Sequence, residues 1–196
     1  MSATGTPARP MRADAQRNYA RLLAAASAAF IEHGADDVSL EEIARRAGVG
    51  IGTLYRHFPT RQALLEAVYR DQVDLLSARA EELLQAESPG DALADWLRAL
   101  VRFMSTKRSL TTAMLASGTD SELLSACGQV IHGAAQALLA RAQQAGAVRP
   151  DADVKDLVRL VHAVNIATER APADPGQADR MLALILDGLR PPPAAQ

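Results

Sequence analysis

The side chains best equipped for chemistry fall in one short stretch, GIGTLYRHFPTR, residues 50–61. Arg56 is a planar fork of donors that can bond guanine O6 and N7 together. Thr53, Tyr55 and His57 add hydroxyl and imidazole groups, and Arg61 adds a second guanidinium. Ile51 can neither donate nor accept, but it can touch a thymine methyl. Such a set binds and reads a surface; catalysis has little to build on. His33, His57, His132 and His162 form no HExxH pair, and there is no glycine-rich phosphate loop. Cys127 and His132 are five apart, a spacing that shares a helical face poorly. The chain is expected not to be an enzyme, with no cofactor and no metal. Its single cysteine excludes an intrachain disulfide and a cysteine-built metal cluster.

The elements that must position this stretch are helical. Apolar residues make up 48% of the 196 residues and aromatics 4%. Alanine and leucine dominate, and runs of alternating Val, Ile and Thr are absent, so the expected fold is all-α with about nine helices. The first helix spans 13–33 and stops at Gly34. Ser39-Leu40-Glu41-Glu42 is a capping box, with Ser39 on the third amide and the Glu42 carboxylate reaching back. That second helix stops at Gly48, and the next is ended by Pro59. Thr60 caps a fourth helix reaching about 85. The fifth spans 88–106, a short sixth 109–116, the seventh 121–145, the eighth 150–169 and the ninth 177–188.

Gly48-Val49-Gly50 is short enough only for a sharp turn, so the second and third helices form a helix-turn-helix. Gly50 and Gly52 are then puzzling, because glycine is a poor helix former and they sit where the third helix starts. Either they are turn residues only, or they let the backbone and its free amides approach DNA closely. Formal charge is −2 overall, but residues 1–62 hold eight arginines against six acids. Residues 1–12 read as a disordered basic arm and 191–196 as a disordered tail. No uninterrupted apolar run reaches membrane-spanning length and no signal-peptide core is present, so a soluble, cytoplasmic protein without membrane contact is expected.

VSLEEIARRAGVGIGTLYRHFPTRQALLEAVY, residues 38–69, resembles the DNA-binding segment of tetracycline-repressor-type (TetR family) regulators. Ala44, Gly48-Val49, Gly52 to Phe58, Arg61 and Leu64-Leu65 carry the likeness. Residues 106–108 and 145–151 are similar to a subgroup common in actinobacteria. The resemblance implies a three-helix DNA-binding domain over 13–64 and an effector and dimerisation domain over 65–190. It implies double-stranded operator DNA as partner, contacted by Gly50, Ile51, Gly52, Thr53 and Arg56. Tyr55, His57, Ser39 and Arg61 are then expected on phosphates, with Arg46 as a further candidate.

The eighth and ninth helices are apolar on more than one face, which must be buried somewhere. In this family that implies a homodimer, here through Leu157, Val161 and Val164 with Met181, Leu184 and Ile185, reading an inverted repeat. A small, largely apolar effector of unknown identity is expected among Trp96, Leu100, Phe103, Met104, Met114, Cys127, Ile131 and Asn165, with ordinary core as the competing reading. The expected function is thus a ligand-responsive regulator, a repressor. The alternative is a DNA-binding regulator without a small-molecule effector, controlled by a protein partner.

Overall fold

The structure is a computed structural model that describes residues 8–119, 121–169, 174 and 176–191. Among the described residues it contains eight helices and no strand: α1 (Ala8–His33), α2 (Leu40–Ala47), α3 (Ile51–His57), α4 (Arg61–Leu83), α5 (Pro89–Ala116), α6 (Ser121–Gln144), α7 (Val154–Glu169) and α8 (Gln177–Gly188). The all-α class stands. The anticipated fifth and sixth helices are one continuous rod, α5, because nothing between residues 106 and 109 forbids helix. No proline or glycine interrupts, and buried Phe103 and Met104 on one side, Leu110 and Met114 on the other, hold both halves. What was numbered eighth and ninth is therefore α7 and α8. Residue 8 opens α1, five residues earlier than expected. Pro10 fits there because first-turn amides lack helical partners. The rest of the anticipated arm, 1–7, and the tail from 192 onward lie outside the described residues.

The chain divides into two compact units. The first comprises residues up to Asp71 together with Ser109–Thr119, and the second Gln72–Arg108 with the remainder. The boundary expected at 64/65 thus moves along α4, and about two turns at the end of α5 return to the first unit. Gly118 takes positive φ (87°) there, and the Thr119 amide closes back on the Met114 carbonyl at 3.0 Å. Thr119 also donates its hydroxyl to Glu66 of α4 at 3.0 Å.

The first unit packs Leu22, Ala26 and Phe30 of α1 against Ile43, Ala44, Leu54 and Phe58. Helix α3 has only seven residues, too few to stand alone. Gly52 inside it costs about 1 kcal/mol relative to alanine, while Gly50 lies outside as the N-cap. Burying Leu54 and Phe58 returns about 1.5–3 kcal/mol apiece, so packing decides the outcome. In the second unit Trp96, Leu97 and Leu100 of α5 join Leu138, Leu139, Leu157, Val161, Val164 and Leu182. Helix α6 is long and apolar enough by composition to cross a membrane (mean hydropathy 1.3), yet Cys127, Ile131, Ala135 and Leu138 bury one face of it in this core.

Candidate nucleic-acid interface

The site grows from three local devices. Ser39 caps α2, its Oγ accepting from the Glu42 amide at 3.1 Å. Gly48 ends α2 in the left-handed region (φ 66°, ψ 35°), where L side chains are strained. Its amide donates to Arg45 at 3.1 Å, and that of Val49 to Ala44 at 3.0 Å, which turns the chain sharply. Gly50 is extended (φ −69°, ψ 147°) and opens α3 without a side-chain cap. At the far end Thr60 caps α4 through the Ala63 amide at 3.1 Å.

On α3, Leu54 points inward, while Ile51 is 38% and Tyr55 46% exposed. Arg56 is exposed, and Thr53 and His57 are half-buried. Neither Gly50 nor Gly52 has positive φ, and a Cβ added at either would meet nothing within 4 Å. The chain's own geometry therefore does not require glycine at these two positions. The His57 ring lies edge-on to Tyr19 of α1 at 5.8 Å, and Phe58 packs on the same tyrosine at 5.1 Å. Tyr19 is thus the aromatic that steadies the C-terminal end of α3. It is 39% exposed.

Two arginines expected on phosphate are otherwise engaged. Arg61 donates to the Val38 carbonyl at 2.7 Å and to that of Ala35, tying α4 to the loop that enters α2. Arg46 bonds Glu42 at 2.7 Å and Glu32 at 2.6 Å, with His33 at 3.1 Å. Glu42 is also gripped by Arg45, so its carboxylate serves two guanidinium groups rather than the reciprocal half of the capping box. Hydrogen bonds from Arg46 hold the Glu32 carboxyl below the usual value. Those from Arg46 and then Arg45 do the same for Glu42. Sequence alone could not reveal this, because the acids lie on a different helix or one turn away and a free guanidinium was equally consistent.

Comparison with known proteins decides what this arrangement is. Residues 22–68 match the family model for bacterial regulatory proteins of the tetR family, and residues 88–191 match that for the SbtR-like transcriptional regulator C-terminal domain. The chain belongs to the TetR family. It is a DNA-binding transcriptional regulator, and α3 occupies the place of the second helix of the helix-turn-helix. A TetR transcriptional regulator of Streptomyces coelicolor superposes with TM-score 0.77 at 39% identity, covering 88% of this chain and 98% of that one. A TetR regulator of Mycobacterium vanbaalenii gives 0.76 at 40%, covering 92% and 99%. The HTH-type transcriptional regulator UidR of Escherichia coli K12 is 26% identical, covering 77% of this chain and 79% of its own.

In the second unit of this TetR-family chain, the polar groups among the anticipated effector residues have partners. Trp96 donates its indole N–H to the Leu76 carbonyl at 3.0 Å, and Asn165 its amide to that of Met104 at 3.2 Å. Leu100, Phe103, Cys127 and Ile131 are buried in the same unit. Burial pushes the neighbouring Lys107 ammonium down, an effect the charge of Cys127 opposes. Met114 stands apart, because its contacts belong to the first unit. Two cavities of about 440 and 350 Å³ in the second unit are lined by none of these eight residues.

The anticipated dimer residues divide as well. Leu157, Val161 and Val164 are buried within the chain itself, so they are core and not a free face. The large apolar residues of α7 that reach solvent are Leu160 and Ile166, with exposed Ala163 and Ala167 between and beside them. On α8 Leu184 is 73% exposed, with Met181 and Ile185 half-buried beside it. Sequence periodicity identified two apolar faces on α7 but could not say which faced inward.

Proposed function

We propose that this regulator is a repressor that binds an inverted-repeat operator as a homodimer and leaves it when a small, largely apolar effector enters the second unit. The observation that carries the DNA half is the outward surface of α3. Two glycines that the chain's own packing does not need flank an exposed isoleucine, and Arg56 follows on the same helix. A backbone bare at these points can lie against phosphates and base edges, Ile51 against a thymine methyl and Arg56 on a guanine. Thr53, Tyr55, His57 and Ser39 would fix register on the sugar-phosphate backbone.

The dimer is supported by Leu160 and Ile166 on α7 with Leu184 on α8. These are apolar and solvent-facing in one protomer, and a two-fold axis would bury them against their own copies. The effector half is supported by the two cavities of about 440 and 350 Å³ in the second unit, which are within the size range of small-molecule pockets. Such a protein works in the cytoplasm, where its operator is. Selection of duplexes from a random pool by the full chain tests the first half, and the recovered site should be a two-fold repeat. A selected site without that symmetry would refute the homodimeric reading. A thermal-shift screen of small apolar compounds tests the second half, because a ligand that binds only the folded chain raises its melting temperature.

A further inference from the structure

The arginines of the first unit whose side chains are described fall into two groups. Arg17 is paired with Asp14, Arg45 with Glu42, Arg46 with Glu42 and Glu32, and Arg61 with two backbone carbonyls. Among the described residues Arg21, Arg56 and Arg70 have no hydrogen bond or ion pair. Arg56 is on α3. Arg21 is on α1, exposed, and its guanidinium reaches across to the turn between α2 and α3: its Nη2 is 3.5 Å from where a Cβ on Gly48 would sit. The geometry points to Arg21 as a phosphate contact beside the recognition helix, taking the part that the motif's own Arg61 does not fill.

The argument rests on the DNA-binding reading of α3 and on elementary electrostatics. A recognition helix enters the major groove with its N-terminal residues, so the groove wall, a line of phosphates, passes the chain that leads into that helix. Here that chain is the turn 48–50, and Arg21 is the cation lying over it. A guanidinium without an acid partner is free to exchange its water and a condensed counterion for a phosphate oxygen. One held by a carbonyl or a carboxylate must first give up that bond, which disfavours Arg61 and Arg46. Nothing local in the sequence marks Arg21, which sits two helices and about thirty residues before α3.

The test uses the full chain with two probes, a random-sequence duplex and the duplex that the wild-type protein selects from a random pool. Arg21→Gln should leave the melting temperature unchanged and weaken both duplexes by a similar factor. It should also lower the slope of log affinity against log salt by about 0.9, which shrinks the loss between about 50 and 200 mM salt about 3.5-fold. Arg21→Lys should restore most of the slope. Arg61→Met should lower the melting temperature and leave the slope as it was. An Arg21→Gln protein with native affinity and slope overturns the proposal. So does one that melts earlier, since Arg21 would then be structural, and so does a loss confined to the selected duplex, since that is base reading. A slope reduced in Arg61→Met and not in Arg21→Gln reverses the assignment. Failure of the wild-type protein to bind either duplex would instead count against the DNA-binding reading itself.

Discussion

Helix α3 and the pair α7–α8 both leave large apolar side chains in water, and they surround them differently. On α3 the exposed apolar surface is a single i,i+4 pair, Ile51 and Tyr55, with bare glycine backbone on either side of Ile51 and the unpaired Arg56 next to Tyr55. On α7, Leu160 and Ile166 continue into Ala163 and Ala167, and on α8 Leu184 is joined by Met181 and Ile185. One or two exposed apolar residues cost a soluble protein little, whereas a larger contiguous patch marks an interaction surface. Each leucine or isoleucine so covered contributes about 1.5–3 kcal/mol of transfer free energy. A polyanion offers no apolar area of that kind; it rewards access to backbone and unpaired cations. In the proposed function Ile51 (38% exposed) therefore serves DNA, and Ile166 (41% exposed) serves a second copy of the chain.

The sharpest way to break this contrast is on α7–α8. Replacing Ile166 and Leu184 together by glutamate should give a folded monomer in sedimentation. Its affinity for a two-fold site should fall about 10²–10⁴-fold as the second half-site contact ceases to be intramolecular. Val161→Glu should behave otherwise. That side chain is fully buried, so an uncompensated charge there destabilises the fold itself. A dimeric Ile166/Leu184 double mutant would remove the reading of this face as the interface.

Next comes Gly52. The structure removes one explanation, because its φ is not positive and a side chain would meet nothing within the chain. Gly52→Leu should therefore raise the melting temperature slightly, leucine being the better helix former by somewhat under 1 kcal/mol. Affinity for the selected duplex should nonetheless drop about 100-fold, or roughly 2.8 kcal/mol. Native affinity in a stable leucine variant would leave the glycine without an account. Arg56→Ala should cost less, about 1–3 kcal/mol on the selected duplex and much less on random sequence. Equal losses on the two would make Arg56 a phosphate contact and narrow the base-reading surface to Ile51 and Thr53.

What could be read in advance depended on whether the signal was local. The cap at Ser39, the left-handed stop at Gly48 and the Thr60 cap are each fixed by residues within four positions, and all are found. The helix-turn-helix follows from them. The inward face of α7 depends on what packs against it, and a helix apolar on two sides carries no mark of which side is inside. The break expected near 107 failed for a related reason: poor local propensity over a few residues is overridden by buried side chains on both flanks. The fates of Arg46 and Arg61 were illegible because an arginine's partner is set by tertiary geometry. Arg61 reaches back 23 and 26 residues to its carbonyls.

The smallest effect concerns the cluster around Arg46, and it tests whether that arginine is spent inside the protein. Glu32 and Glu42 both have folded-state pKa values below the ordinary 4.5, chiefly through hydrogen bonds from Arg46. A depressed carboxylate contributes stability that is fully present above its unfolded value. That contribution is lost as pH falls through its folded value. Arg46→Gln should therefore melt slightly below wild type at neutral pH, and the gap should close on acidification through the carboxylate range. Because these groups are solvent-exposed, about 1 M salt should narrow the gap as well. On DNA the same variant should keep the wild-type salt slope, since no phosphate contact has been removed. A gap that persists below the carboxylate range would mean that Arg46 acts through the packing of its stem. A reduced salt slope would return it to the DNA surface, and the division between committed and free arginines in the first unit would have to be redrawn.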